Sequence, residues 1–138
     1  MGGRGKWSVP TENGFTWYDY HKVYQFRNTH YLMQHSHNEG GVSAPVMSKT
    51  PNVTYVTLDK DGKPKSISVY KDRIKQYEID LDHRHHGMQP HVHHCNEKGY
   101  RKGDEKDSDM LLTKKMQEKV RVVWQTYYNH KKEISGEE

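Results

Sequence analysis

Val53-Thr54-Tyr55-Val56-Thr57-Leu58 and Ser66-Ile67-Ser68-Val69-Tyr70 flank Asp59-Lys60-Asp61-Gly62-Lys63-Pro64. β-Branched and aromatic residues fill both flanking runs, and turn formers fill the space between them, so the stretch reads as a β-hairpin. Outward from it, Lys75-Gln76-Tyr77-Glu78-Ile79-Asp80-Leu81 alternates Tyr77, Ile79 and Leu81 with polar neighbours. That period of two marks a strand with one buried face. A further strand, His91-Val92-His93-His94-Cys95, returns after a short loop through Gly87 and Pro90. The four runs predict an antiparallel β-meander.

Beyond Asn96, the charged, glycine-bearing stretch from Glu97 to Asp109 reads as a solvated loop with no evident chemistry. A helix follows: Thr113 is placed to cap it, and Leu112, Met116, Val120, Val123, Trp124 and Tyr127 recur on one helical face. This amphipathic stripe is expected to pack on the sheet, which makes the fold class α+β. Residues 133–138 are expected to fray as a tail. On the other side, Thr29 to His35 looks extended and ends in Asn38-Glu39-Gly40-Gly41. Phe15, Trp17, Tyr18, Tyr20, Val23, Tyr24 and Phe26 form an aromatic segment that reads as an aromatic strand or a short amphipathic helix, with a helix from Tyr18 to Gln25 favoured. Residues 1–14 read as a flexible leader, so one domain spans 15–132.

The chain has 138 residues, of which 31% are hydrophobic, and a mean hydropathy of -1.20. One thin core, leaning on ten tyrosines and three tryptophans, is the consequence. Lys and Arg number 22 against 18 Asp and Glu, a net charge of +4 that favours anionic partners, nucleic acid among them. The lone Cys95 excludes an intramolecular disulfide and suits a reducing compartment. No apolar run approaches a membrane span and no signal peptide is visible, so the expectation is a cytoplasmic or virion-associated protein with no membrane partner.

Chemistry concentrates in Asp80-Leu81-Asp82-His83-Arg84-His85-His86-Gly87-Met88-Gln89-Pro90-His91-Val92-His93-His94, where six of the chain's 11 histidines lie. In extended chain His83 and His85 share a face, as do His91 and His93, and the loop is expected to bring His85 close to His91. Asp80 and Asp82 alternate together and are suited to orient an imidazole. Two chemistries fit. In the first, His85, His91 and His93, with Asp82, act as general acid and base in phosphodiester transfer, while Arg84, Arg73, Lys75 and Lys49 meet phosphate; no cofactor is required. In the second, His83, His85, His91 and His93 hold a divalent metal such as zinc or nickel. The bland alternative is a surface cluster that captures adventitious metal. His86 and His94 point away from these pairs. Tyr31, Tyr55 and Tyr70 would stack bases on an open sheet face or pack beneath a covering element.

The Asp-x-Asp-His-x-x-His-Gly-Met-Gln-Pro-His-x-His run at Asp80 to His93, set between a β-meander and a Trp-bearing helix, resembles the C-terminal domains of phage and prophage minor head proteins. It is similar as well to the toxin domains of bacterial polymorphic toxins. The likeness covers roughly residues 29 to 131, and its specific part is Gly87-Met88-Gln89-Pro90-His91-Val92-His93. The resemblance implies a ribonuclease of the barnase, EndoU, colicin and RelE type, with a helix followed by a four-stranded antiparallel sheet. It also implies catalytic positions at His85, His91 and His93, and a cognate immunity protein or a phage capsid as partner. The Ser/Thr-Arg signature of several such ribonucleases is missing, which leaves open a binding module that holds a structural metal without turnover.

Overall fold

Residues 7–10, 17–35, 42–81 and 89–136 are described by the structure, a computed structural model. They are organised by one seven-stranded sheet whose strands lie in chain order: β1 (Trp7–Pro10), β2 (Trp17–Phe26), β3 (Thr29–His35), β4 (Val53–Leu58), β5 (Pro64–Lys71), β6 (Ile74–Asp80) and β7 (His91–His94). A 3-10 turn (Asp107–Met110) and two helices, α1 (Lys114–Asn129) and α2 (Lys131–Ser135), follow. The meander expected from the sequence is β4 to β7, antiparallel throughout. Asp59 closes its first turn by accepting from the backbone N–H groups of Asp61 and Lys63.

The sheet has seven strands where about four were expected, and two further expectations are corrected. The sheet is mixed, because β3 and β4 run parallel, with Thr29 beside Thr54 and Leu32 beside Thr57. Parallel neighbours require a long crossover, and the stretch from 36 to 52 provides the length. The aromatic segment is not a helix but the strand β2. A bulge between Lys22 and Tyr24 breaks its alternation, so Tyr20 and Tyr24 serve opposite faces despite a spacing of four that mimics a helical turn. Within the expected leader, Trp7 to Pro10 pair with β2, and Val9 is buried.

One face of the sheet carries Tyr31, Val56, Ile67, Ile79 and Val92 against Met116, Val123 and Tyr127 of α1. The stripe lands as its periodicity predicts, and Thr113 caps the helix by accepting from the Met116 N–H. The expected tail does not fray through its first residues, since Ile134 of α2 is buried in the same core. Ser135 lies against Gly62, which turns with φ +82 and where a Cβ would stand 2.8 Å from the Ser135 Cβ. On the opposite face Val9, Tyr20, Leu32, Val53, Tyr55 and Tyr70 form a second cluster beneath the crossover. There the hydroxyls of Tyr20 and Tyr70 donate to the carbonyls of Ser43 and Pro45, and that of Tyr55 accepts from the Lys49 N–H. Tyr31, Tyr55 and Tyr70 are therefore covered on both faces and form no open stacking platform.

Tyr31 ties helix to sheet, donating from its buried hydroxyl to the Val123 carbonyl at 2.9 Å. Burial pushes that phenol up from 10.0 to about 12, against a partly offsetting hydrogen bond to Thr126. Between those values the unfolded chain gives up a proton that the folded chain keeps, so stability falls as pH rises. Tyr31→Phe should cost about 1 kcal/mol at neutral pH. Urea midpoints followed from neutrality to pH 11 should also show a shallower alkaline decline in the variant than in the wild type; an unchanged slope would refute this role.

Candidate metal centre

Cross-strand register builds the site before any loop contributes. On the face turned from the helices, Thr57, Ser66, Asp80 and His91 form one row over β4 to β7, and Tyr55, Ser68, Glu78 and His93 form the next. All eight are buried. The intervening Ile79 and Val92 point to the apolar core, so the polar residues beside them must face the other way. The expectation that His91 and His93 share a face holds.

Three donor atoms converge there. His91 Nε2 and His93 Nε2 are 3.1 Å apart, and Asp80 Oδ2 lies 3.5 Å from the first and 3.6 Å from the second. The rings meet edge to face at 83°. Without an ion, one imidazole N–H must donate to the other ring's lone pair.

A chain of buried charge supports this trio. Lys75 Nζ donates to Glu78 Oε1 at 2.8 Å, and the Arg101 guanidinium donates to Glu78 Oε2 at 2.9 Å while standing 3.7 Å from Asp80 Oδ2. Burial alone would raise the Glu78 carboxyl, but the two cations and their hydrogen bonds outweigh it and hold the group at about 2. Glu105 accepts from the His94 backbone N–H through both oxygens, contacts His94 Nδ1 at 2.8 Å, and places Oε1 3.7 Å from His93 Nδ1. A carboxylate behind a ring nitrogen fixes tautomer and orientation in metal-binding histidines.

Arg101 and Glu105 come from the charged stretch expected to be a plain solvated loop. It folds as a hairpin: Asn96 Oδ1 accepts from the N–H groups of Lys98 and Tyr100, and Cys95 bridges to Arg101. Gly99, at φ +81, packs so closely on the crossover that a Cβ would sit 2.5 Å from the Val46 carbonyl oxygen. Crossover and hairpin thus brace each other, and Arg101 keeps a side chain 40% exposed at the edge of the site.

Of the residues nominated from sequence, His91 and His93 are brought together, whereas Asp82, His83, Arg84 and His85 lie outside the described residues. Lys75 is corrected from a phosphate contact to a buried ion-pair partner, because the register turns it inward beside Glu78. Lys49 of the crossover and Arg73 of the β5–β6 turn sit together at the exposed surface, Arg73 donating to the Lys49 carbonyl and Lys49 standing over the Trp7 ring. His94 faces the helix side, as anticipated. His21 and His35 stack on each other across β2 and β3, and burial followed by the Lys22 charge lowers His30. Glu78 was legible in principle, being two residues before Asp80 on the same strand face. No local signal marks Arg101 or Glu105.

No family model, curated protein or solved structure matches the chain.

Lys75→Met leaves the buried Glu78 carboxylate with the part-exposed Arg101 as its remaining cation among the described residues, and should lower stability by about 1–3 kcal/mol; adding Glu78→Gln to it should recover much of the loss. Equal destabilisation of the single and double variants in urea melts would show that the pair carries no such coupling.

Proposed function

We propose that this protein is a divalent-metal-dependent phosphodiesterase acting on RNA, with Asp80, His91 and His93 as the protein ligands. The observation that carries this reading is the spacing of the three donor atoms, 3.1, 3.5 and 3.6 Å. An ion with bonds of about 2.0–2.2 Å holds neighbouring ligand atoms about 3.3–3.6 Å apart when tetrahedral and about 2.8–3.1 Å apart when octahedral. Two imidazoles and one carboxylate suit zinc, nickel or iron, and three protein donors leave a coordination position for water or substrate. Such an ion supplies Lewis acidity, polarising a phosphoryl oxygen and making a bound water acidic near neutral pH.

The chain's own residues supply the rest. Asp80 brings negative charge to the ion, and Glu105, bound to the His94 backbone and ring, sets a carboxylate oxygen 3.7 Å behind the His93 Nδ1. Arg101, anchored on Glu78 and half open to solvent, is placed to take a phosphate oxygen and to stabilise charge as the P–O ester bond breaks. The net charge of +4 favours a polyanion, and the resemblance to phage head and toxin nuclease domains points to the same substrate class.

The metal-free alternative fits less well. In-line transfer places attacking and leaving oxygens on opposite sides of phosphorus, and each needs its own proton carrier within hydrogen-bond reach. His91 and His93, whose nitrogens contact each other at 3.1 Å, serve one point instead of two, and the third imidazole of that reading, His85, lies outside the described residues.

The test is direct. Chelator-stripped protein should bind one equivalent of zinc or nickel, and Asp80→Asn, His91→Ala and His93→Ala should each weaken binding by more than about 100-fold, with Glu105→Gln costing about 10- to 100-fold. Single-stranded RNA should be cleaved only by the metal-loaded protein, and plasmid DNA poorly. Cleavage that survives chelation would restore the acid-base mechanism; tight metal binding with both nucleic acids left intact would reduce the protein to a metal-binding module.

A further inference from the structure

A second concavity lies on the other face of the sheet, at the opposite edge, between the β2–β3 turn and α1. Its volume is about 300 Å³, and it shares no residue with the imidazole site. Phe26, Tyr31 and Val123 give it apolar walls, and Arg27, Lys115 and Lys119 stand around it.

The sequence concentrates positive charge here at a local cost. Lys115 and Lys119 are one helical turn apart on α1, where like charges repel by a few tenths of a kcal/mol. Glu118 lines the same hollow, but its carboxylate is engaged by both Nε and an Nη of Arg121, and neither lysine meets a carboxylate among the described residues. Arg27 holds φ +54, unusual for a side-chain-bearing residue, and its guanidinium lies 5.1 Å from the Phe26 ring centroid. Stacked in this way, it keeps in-plane N–H donors available. Burial followed by the Lys115 charge lowers Lys119, the mark of an ammonium pressed against apolar surface beside a like charge. Three cations converging on an apolar hollow are complementary to one chemical class.

We propose that this cleft binds a small amphipathic organic anion, its carboxylate, sulfonate or phosphate head held among Arg27, Lys115 and Lys119 and its apolar body lying against Phe26, Tyr31 and Val123. The volume stands at the small end of ligand cavities, about 300–1,000 Å³. Acyl and aromatic anions share this chemistry and are separated by competition. The site stands or falls independently of the metal centre, since no residue is common to both.

The probe is 8-anilinonaphthalene-1-sulfonate, titrated by fluorescence into the full chain. Saturable binding should appear, be displaced by decanoate far better than by decanol or decylamine, and weaken as salt is raised. Lys115→Glu with Lys119→Glu should reduce affinity at least about tenfold, and Phe26→Ala should reduce it too, with metal content unchanged in all variants. If the charge-reversed protein melts differently, Lys115→Gln with Lys119→Gln and the salt series on the wild type carry the same test. Equal displacement by decanol and decylamine, or affinity unmoved by salt and by the lysine variants, overturns the proposal; so does the absence of saturable binding.

Discussion

Ile79 and Val92 face each other across β6 and β7 with no exposed surface, and this apolar contact decides where every functional atom lies. Side chains alternate along a strand, so sinking these two beneath α1 turns Glu78, Asp80, His91 and His93 to the opposite face. A slip of one residue would carry all four imidazole and carboxylate groups into the apolar core and bring Ile79 and Val92 out of it. Burying each aliphatic side chain in apolar surroundings contributes about 1.5–3 kcal/mol, and exchanging both for carboxylates and imidazoles in the apolar core would leave buried charge without partners there. The register is therefore fixed by the core, and the site inherits its geometry from packing it does not touch.

The same arrangement creates an electrostatic problem that the remaining chain answers only in part. Three shielded carboxylates, Glu78, Asp80 and Glu105, meet two cations, Lys75 and Arg101, among the described residues. Glu78 is neutralised fully, since both cations donate to it. Asp80 receives only the longer contact from Arg101, and Glu105 is satisfied by the His94 backbone and ring. Negative charge thus remains beside two imidazoles, the setting in which a bound cation contributes most.

Much of this was readable in the sequence where a single period governed the segment. The β4–β5 hairpin, the alternation of Tyr77, Ile79 and Leu81, and the stripe from Leu112 to Tyr127 each reflect one face in contact with one core, and each appears as expected. The aromatic run around Tyr20 and Tyr24 misled because a bulge changed its period partway. Ile134 looked like part of a polar tail, for one buried residue in a five-residue helix leaves no periodicity to detect. The parallel β3–β4 pair depends on a crossover whose path no local pattern encodes. Lys75 was assigned by charge, and plain alternation would set it on the face of Tyr77 and Ile79; the irregularity between Val69 and Tyr70 shifts it opposite Tyr70 and so within reach of Glu78. Arg101 and Glu105 belong to the site through turn geometry at Asn96 and Gly99, so their roles emerge only once the hairpin is folded.

A shared proton offers the natural rival to a metal at the trio, and the distances separate the two. A proton between His91 and His93 would account for their 3.1 Å approach and would supply one positive charge. It leaves the Asp80 contacts at 3.5 and 3.6 Å, beyond the range of a charge-assisted hydrogen bond, about 2.7–2.9 Å. A carboxylate drawn to an imidazolium in a buried setting would close that gap. One held at nearly equal distance from both rings, with all three donor atoms within 4.8 Å of one another, is compatible with the third ligand of the proposed metal.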